Sequence, residues 1–175
     1  MVTTVYRAVI GGGMNVGKAF IAGIIGGAVM IFIMAITRAI GAGTDMPMMI
    51  GTMPGTSPGG AAWLVGFMVL LIGSGIGGII YGATFEALTH KADAMTGVLV
   101  ALVPMVVQGL MLGLIDKMHP LMPKILAAPG FFMSNYGLMG VIGFIATHLT
   151  FGAVVGALYG PIAAKATPNY TQMDE

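Results

Sequence analysis

Two stretches hold the residues with the most evident chemistry. The first reads Asp45-Met46-Pro47-Met48-Met49-Ile50-Gly51-Thr52-Met53-Pro54-Gly55. The second reads Asp116-Lys117-Met118-His119-Pro120-Leu121-Met122-Pro123 and runs on to Pro129-Gly130-Phe131-Phe132-Met133. Thioethers are soft ligands that favour Cu(I), and imidazole binds copper as well. If both stretches face one side of the protein, Met46, Met48, Met49, Met53, Met118, Met122 and His119 form a copper-handling surface. Packing is the competing explanation, because methionine fills irregular apolar gaps. Asp45 followed by Pro47 signals the start of a short helix, which would turn Met48, Met49 and Met53 toward an apolar layer. Methionine also recurs at Met30, Met34, Met68, Met105 and Met111, in a chain that has 17 of them.

His148 and Gln108 are polar residues set inside long apolar runs. Such residues are costly in a membrane and mark function or a structural hydrogen bond. On adjacent antiparallel helices, at ~1.5 Å rise per residue, their depths differ by only about 4–5 Å. A hydrogen bond between them would contribute about 0.6–2 kcal/mol. The alternative roles for His148 are haem ligation and proton relay. A membrane haem usually takes two axial ligands at a shared depth. His90 and His119 fall at other depths, which disfavours a bis-histidine haem, and His–Met ligation singles out no methionine. His90, four residues after Glu86 and beside Lys91 and Asp93, reads as a solvated helix end.

Catalytic patterns are missing. No carboxylate falls inside an expected span, and no Ser/His/Asp or metalloprotease spacing occurs. Gly17-Lys18-Ala19 lacks the Ser or Thr that would complete a phosphate loop. The absence of cysteine removes disulfides, thiolate metal sites and thiol catalysis. We therefore expect a protein that is not an enzyme.

The elements that must position these residues follow from composition. Of the 175 residues 57% are hydrophobic and 7% charged, against about 25% charged in soluble domains. Such a chain cannot cover a water-facing surface. The net charge of +1 leaves no basic footprint for nucleic acid. Charges punctuate the chain. Uncharged runs of 19, 40, 22 and 40 residues separate Lys18 from Arg38, Asp45 from Glu86, Asp93 from Asp116, and Lys124 from Lys165. A spanning helix needs about 20 apolar residues, and Pro and Gly break each long run near its start. The expected fold is all-α: four transmembrane helices over residues 19–40, 61–83, 94–115 and 138–162. Residues 1–18 form an N-terminal segment without a signal-peptide core, with an interfacial stretch at 4–10. Residues 163–175 form a polar tail.

The short–long–short–long pattern is a repeat. Ser74, Gly78, Tyr81 and Gly82 are matched by Gly152, Gly156, Tyr159 and Gly160 at a constant offset of 78 residues. Two parallel helix–loop–helix units, 19–83 and 94–162, would then place both long loops on one side. Arg7, Lys18, Lys91 and Lys165 lie on the side of the termini, against Arg38, Lys117 and Lys124 on the loop side, so the positive-inside rule favours cytoplasmic termini. Glycines at spacing four suggest close helix seams: Gly23 with Gly27, Gly73 with Gly77, Gly78 with Gly82, Gly109 with Gly113, and Gly152, Gly156 and Gly160.

The loop Asp45-x-Pro47-x3-Gly51, the element Met118-His119-Pro120, Pro129-Gly130-Phe131-Phe132 and the ending His148…Gly152…Gly156…Tyr159-Gly160 resemble a family of small prokaryotic four-span integral membrane proteins with no established activity. The resemblance covers about residues 19–162. It implies a prokaryotic cytoplasmic membrane and transfers no function.

More glycine faces than one bundle can use point to a non-catalytic subunit of a larger membrane complex, energy-transducing or redox, whose partners are other membrane subunits and lipid. The alternatives are the copper-handling protein and a small transporter acting as an oligomer. Copper or haem is the cofactor these alternatives would take. Cysteines introduced at Thr56 and Thr171 should label from opposite sides of the membrane; labelling of both from one side would refute four spans.

Overall fold

The computed structural model describes residues 13–162. The expected interfacial stretch at 4–10 and the polar tail lie outside the described residues. Four long apolar helices are present, each long enough to cross a membrane. Helix α1 is Val16–Ala39. A short helix α2, Met46–Gly51, follows. Helix α3 is Gly60–Thr84, prolonged by a π-helical turn at Phe85–Thr89. Helix α4 is Ala94–Leu112. A single turn α5, Ile115–Met118, and a 3-10 segment, Phe131–Tyr136, lead into helix α6, Gly137–Tyr159.

The helix starts follow from capping. Asn15 accepts from the Lys18 N–H at 2.9 Å, so α1 begins before the expected boundary and takes in residues 16–18. Asp45 accepts from the Met48 N–H at 3.1 Å, with Pro47 in the first turn of α2. Asp93 accepts from the Thr96 N–H at 2.8 Å at the start of α4. The Asp93 carboxyl is held down at about 2, first by the Lys91 ammonium and then by that N–H. The third span is shorter than expected. It stops at Leu112, and Ile115 belongs to the separate turn.

The outward faces are apolar. Phe32, Val103 and Leu138 are each at least 65% exposed, the reverse of a water-soluble fold. In lipid every backbone polar group must be satisfied within the chain, which helices do by themselves. The protein is an integral membrane helical bundle. Helix α1 packs along α3 and along α6, and α6 packs along α4, whereas α3 and α4 touch only at an edge.

Two seams hold the sequence-adjacent pairs. A Cβ on Gly23 would collide with the Ser74 carbonyl oxygen and lie 2.9 Å from the Gly78 Cα. One on Gly78 would collide with the Ala19 carbonyl oxygen. In the second half, a Cβ on Gly97 would collide with the Gly152 carbonyl oxygen, and one on Gly156 with that of Asp93. Thus Ala19 and Gly23 against Ser74 and Gly78 correspond to Asp93 and Gly97 against Gly152 and Gly156. The contact between the halves has no such counterpart. There α1 meets α6 with Gly26 facing the Phe151 and Val155 side chains.

Several glycines differ from the expected seams. Gly109 and Gly113 meet no helix backbone; the Phe132 and Phe131 rings lie over them. Gly73 faces open space, and Gly77 meets the Phe151 ring at 3.6 Å. Gly82 takes the Met14 and Ala19 side chains, and Gly160, at φ +69, ends α6. Spacing four cannot reveal Gly97, whose seam neighbour four residues on is Ala101. Substituting Gly23 or Gly156 by Leu should cost at least the ~1–3 kcal/mol of overpacking, because only backbone could move aside. Gly73→Leu should be nearly neutral. Detergent unfolding of the three variants checks this, and equal tolerance at Gly156 would show that its seam is not closed.

Candidate functional site

The close seams occupy the half of the bundle nearest the termini. In the loop-side half lies a cavity of about 250 Å³. Helix α1 contributes Met30 and Met34, α2 contributes Met46 and Met49, α4 contributes Met111, and the 3-10 segment contributes Met133. Gln108 and His148 also line it. Three threonines also line it, Thr37, Thr44 and Thr147, and two of them are engaged with their own helices. Thr37 donates to the Met34 carbonyl at 2.9 Å and Thr147 to the Gly143 carbonyl at 2.6 Å.

The His148 tautomer follows from its partners. Nδ1 lies 2.8 Å from the Phe144 carbonyl oxygen, which can only accept, so Nδ1 carries the hydrogen. In the neutral ring Nε2 then holds a lone pair. Gln108 sits 3.3 Å from Nε2. The Gln108 atom placed there is Oε1, which cannot donate. A half-turn of the amide about its terminal bond, which leaves the heavy-atom positions nearly unchanged, brings the NH₂ group to the lone pair as donor. The Phe144 ring packs against the imidazole at a centroid distance of 4.2 Å.

The cavity is roofed by the two loop segments, and His119 joins them. Its side chain is buried. Nε2 donates to the Met49 carbonyl at 2.8 Å, with Thr52 Oγ1 3.3 Å away, and Nδ1 accepts from the Leu121 N–H at 3.2 Å. Both ring nitrogens are therefore occupied by the protein itself. Helix α2 in turn lies on α3 through glycine. A Cβ on Gly51 would collide with the Ala62 carbonyl oxygen, and one on Gly66 with that of Pro47. Arg38 pairs with Asp45 at 2.8 Å at the start of α2.

The residues expected as a copper surface divide between these environments. Met49 and Met122 are buried with Leu112, Met133 and Phe144, and Met46 packs against that cluster. Met48 is half-buried, while Met53 and Met118 are exposed. His119 has no nitrogen left for a metal. Met46 and Met49 instead line the cavity, with methionines from the spans that the loop pattern does not include. Met133 reaches it from an unusual backbone. Phe132 and Met133 are consecutive non-glycine residues in the left-handed region, at φ 52 and 64, a conformation that costs on the order of 1–3 kcal/mol each.

At the opposite end Tyr159 donates to Glu86 at 2.8 Å and lies 3.4 Å from the Asn15 N–H. Glu86 sits on the π-helical turn, so it belongs to an interhelical contact as well as to a helix end. Lys91 pairs with Asp93, and His90 is exposed with φ 50. No local pattern signals the Tyr159–Glu86 bond, because its partners lie 73 residues apart.

The fold and the cavity define a four-span integral membrane protein with an intramembrane cavity. Comparisons of the chain with protein-family models, with curated proteins and with solved structures find no match. Gln108→Leu and His148→Leu should each destabilise by about 0.6–2 kcal/mol. The double variant should show a coupling of at least about 0.5 kcal/mol. Strict additivity in a detergent-unfolding cycle would show that the two side chains do not interact.

Proposed function

We propose that this chain is a non-enzymatic membrane protein that holds a small ligand in the loop-side half of its bundle. The carrying observation is the cavity of about 250 Å³ lined by six methionines and the His148–Gln108 pair. Its volume lies below the about 300–1,000 Å³ of sites for drug-sized ligands. It accommodates an ion or a small molecule. The lining includes no carboxylate and no nucleophile paired with a base, which supports binding over catalysis.

The reading as a subunit of a larger membrane complex has less support. It rests on glycine faces left over after the bundle is packed, and the seams close within the chain. Inside the spans, away from their first residues, Gly73 alone among the described glycines faces open space. A transport role would use the same cavity, which occupies one half of the bundle's depth.

Native mass spectrometry of the protein extracted in mild detergent tests the proposal. The wild-type chain should carry an adduct. Met34→Trp, which fills the cavity, should lose it, and Met68→Trp on the exposed face should keep it. A wild-type chain that flies at its bare 17.9 kDa mass would refute ligand holding.

A further inference from the structure

We infer that the ligand is a soft monovalent metal ion, Cu(I), bound by His148 Nε2 and by methionine thioethers that line the cavity. This rests on the reading that the cavity holds a ligand, and it adds which ligand and which donors. The sulfur donors come from four separate elements: Met30 and Met34 on α1, Met46 and Met49 on α2, Met111 on α4, and Met133 on the 3-10 segment. Unbranched thioether chains reorient readily, so two or three of these can close on an ion that also meets the imidazole.

The imidazole is prepared for that role. A metal-ligating histidine ordinarily donates its other ring N–H to a carbonyl or carboxylate, which fixes the tautomer and raises ligand basicity. The Phe144 carbonyl does this at Nδ1 and leaves the Nε2 lone pair on the cavity side. The Gln108 amide, at 3.3 Å, is a long and displaceable partner. His119 shows the contrast, since its two nitrogens are both consumed by buried backbone groups.

The choice of ion follows from the donors. Calcium and magnesium require oxygen ligands, several of them anionic. Zinc sites draw on Cys, His, Asp and Glu, and this lining includes one histidine and none of the others. Thioethers select Cu(I). All the donors are neutral, so the loaded site carries a single positive charge, the smallest that any metal ion could bring into the bilayer. Binding itself transfers no electron and releases no proton, because the His148 lone pair is already free of hydrogen.

The test is an anaerobic titration of the full-length chain in mild detergent with Cu(I), in competition with a chromophoric Cu(I) chelator. The expected result is one Cu(I) per chain. X-ray absorption at the copper edge should show both sulfur and nitrogen neighbours. His148→Leu should remove the nitrogen signal and weaken binding by at least about tenfold, the lower bound for loss of even an outer-sphere partner. A combined Met34→Leu, Met49→Leu and Met133→Leu variant should weaken it similarly while nearly conserving volume, so its fold is retained. Met53→Leu with Met118→Leu, on exposed loop positions, should change nothing. Binding that survives loss of His148 and of the three cavity methionines, or that is lost with Met53 and Met118, would overturn the assignment. A folded wild-type chain that takes up no Cu(I) yet carries an organic adduct sensitive to Met34→Trp would overturn copper and leave the ligand-holding reading standing. Absence of either adduct would overturn both.

Discussion

The structure depends on backbone meeting backbone. In lipid the hydrocarbon gives apolar side chains no reason to leave it, so helices associate through close van der Waals approach. Between spans that approach is made twice, at Gly23 against Ser74 and Gly78, and at Gly97 against Gly152 and Gly156, while the short helix α2 meets α3 as closely at Gly51 and Gly66. Each seam is so tight that a single Cβ would strike a main-chain oxygen. Both lie in the half of the bundle near the termini. The Tyr159–Glu86 bond ties the same end. The cavity lies at the other end of the bundle.

Methionines, the Phe144 ring and the loop segments line the cavity. The loops are less extramembrane structure than a roof. Helix α2 is seated on α3 where Gly51 meets Ala62 and Gly66. His119 then joins the second loop to the first through the Met49 carbonyl. The Met49 carbonyl thereby gains a strong partner beside the Thr52 hydroxyl at 3.3 Å. The left-handed pair Phe132 and Met133 completes the roof, with Phe132 over Gly109 and Met133 at the cavity. Strain of that kind persists where surrounding contacts over-determine it, and here it is next to the site.

One architectural economy links fold and chemistry. Glycine closes one half of the bundle, and methionine lines the space left in the other half. The polar groups within the spans are few, and the Thr37, Thr84 and Thr147 hydroxyls bond back to their own helices. His148 differs in that its helix uses one ring nitrogen and leaves the other toward Gln108.

Composition and charge spacing determined the class of this protein. Uncharged runs of spanning length can be satisfied only as helices in a bilayer, and capping residues such as Asp45, Asn15 and Asp93 act on their immediate neighbours. Those are local forces, and local sequence reports them. Of the positions related by the 78-residue offset, Ser74 with Gly78 and Gly152 with Gly156 lie in seams, while Gly82 and Gly160 do not. The partners of those positions were not legible. Gly97 has alanine, not glycine, four residues on, and Gly109 and Gly113 repeat the seam spacing yet take aromatic rings. Spacing fixes which face a residue occupies, but not what lies across from it. The site divided in the same way. His119 and the loop methionines stood out because they are close in sequence, and tertiary structure turned that histidine inward to hold a loop. Met30, Met34, Met111, Met133 and His148 are scattered over more than a hundred residues. Only the packing of α1, α4 and α6 beneath the loop roof brings them to one cavity, because such convergence is a property of helix positions that no local spacing encodes.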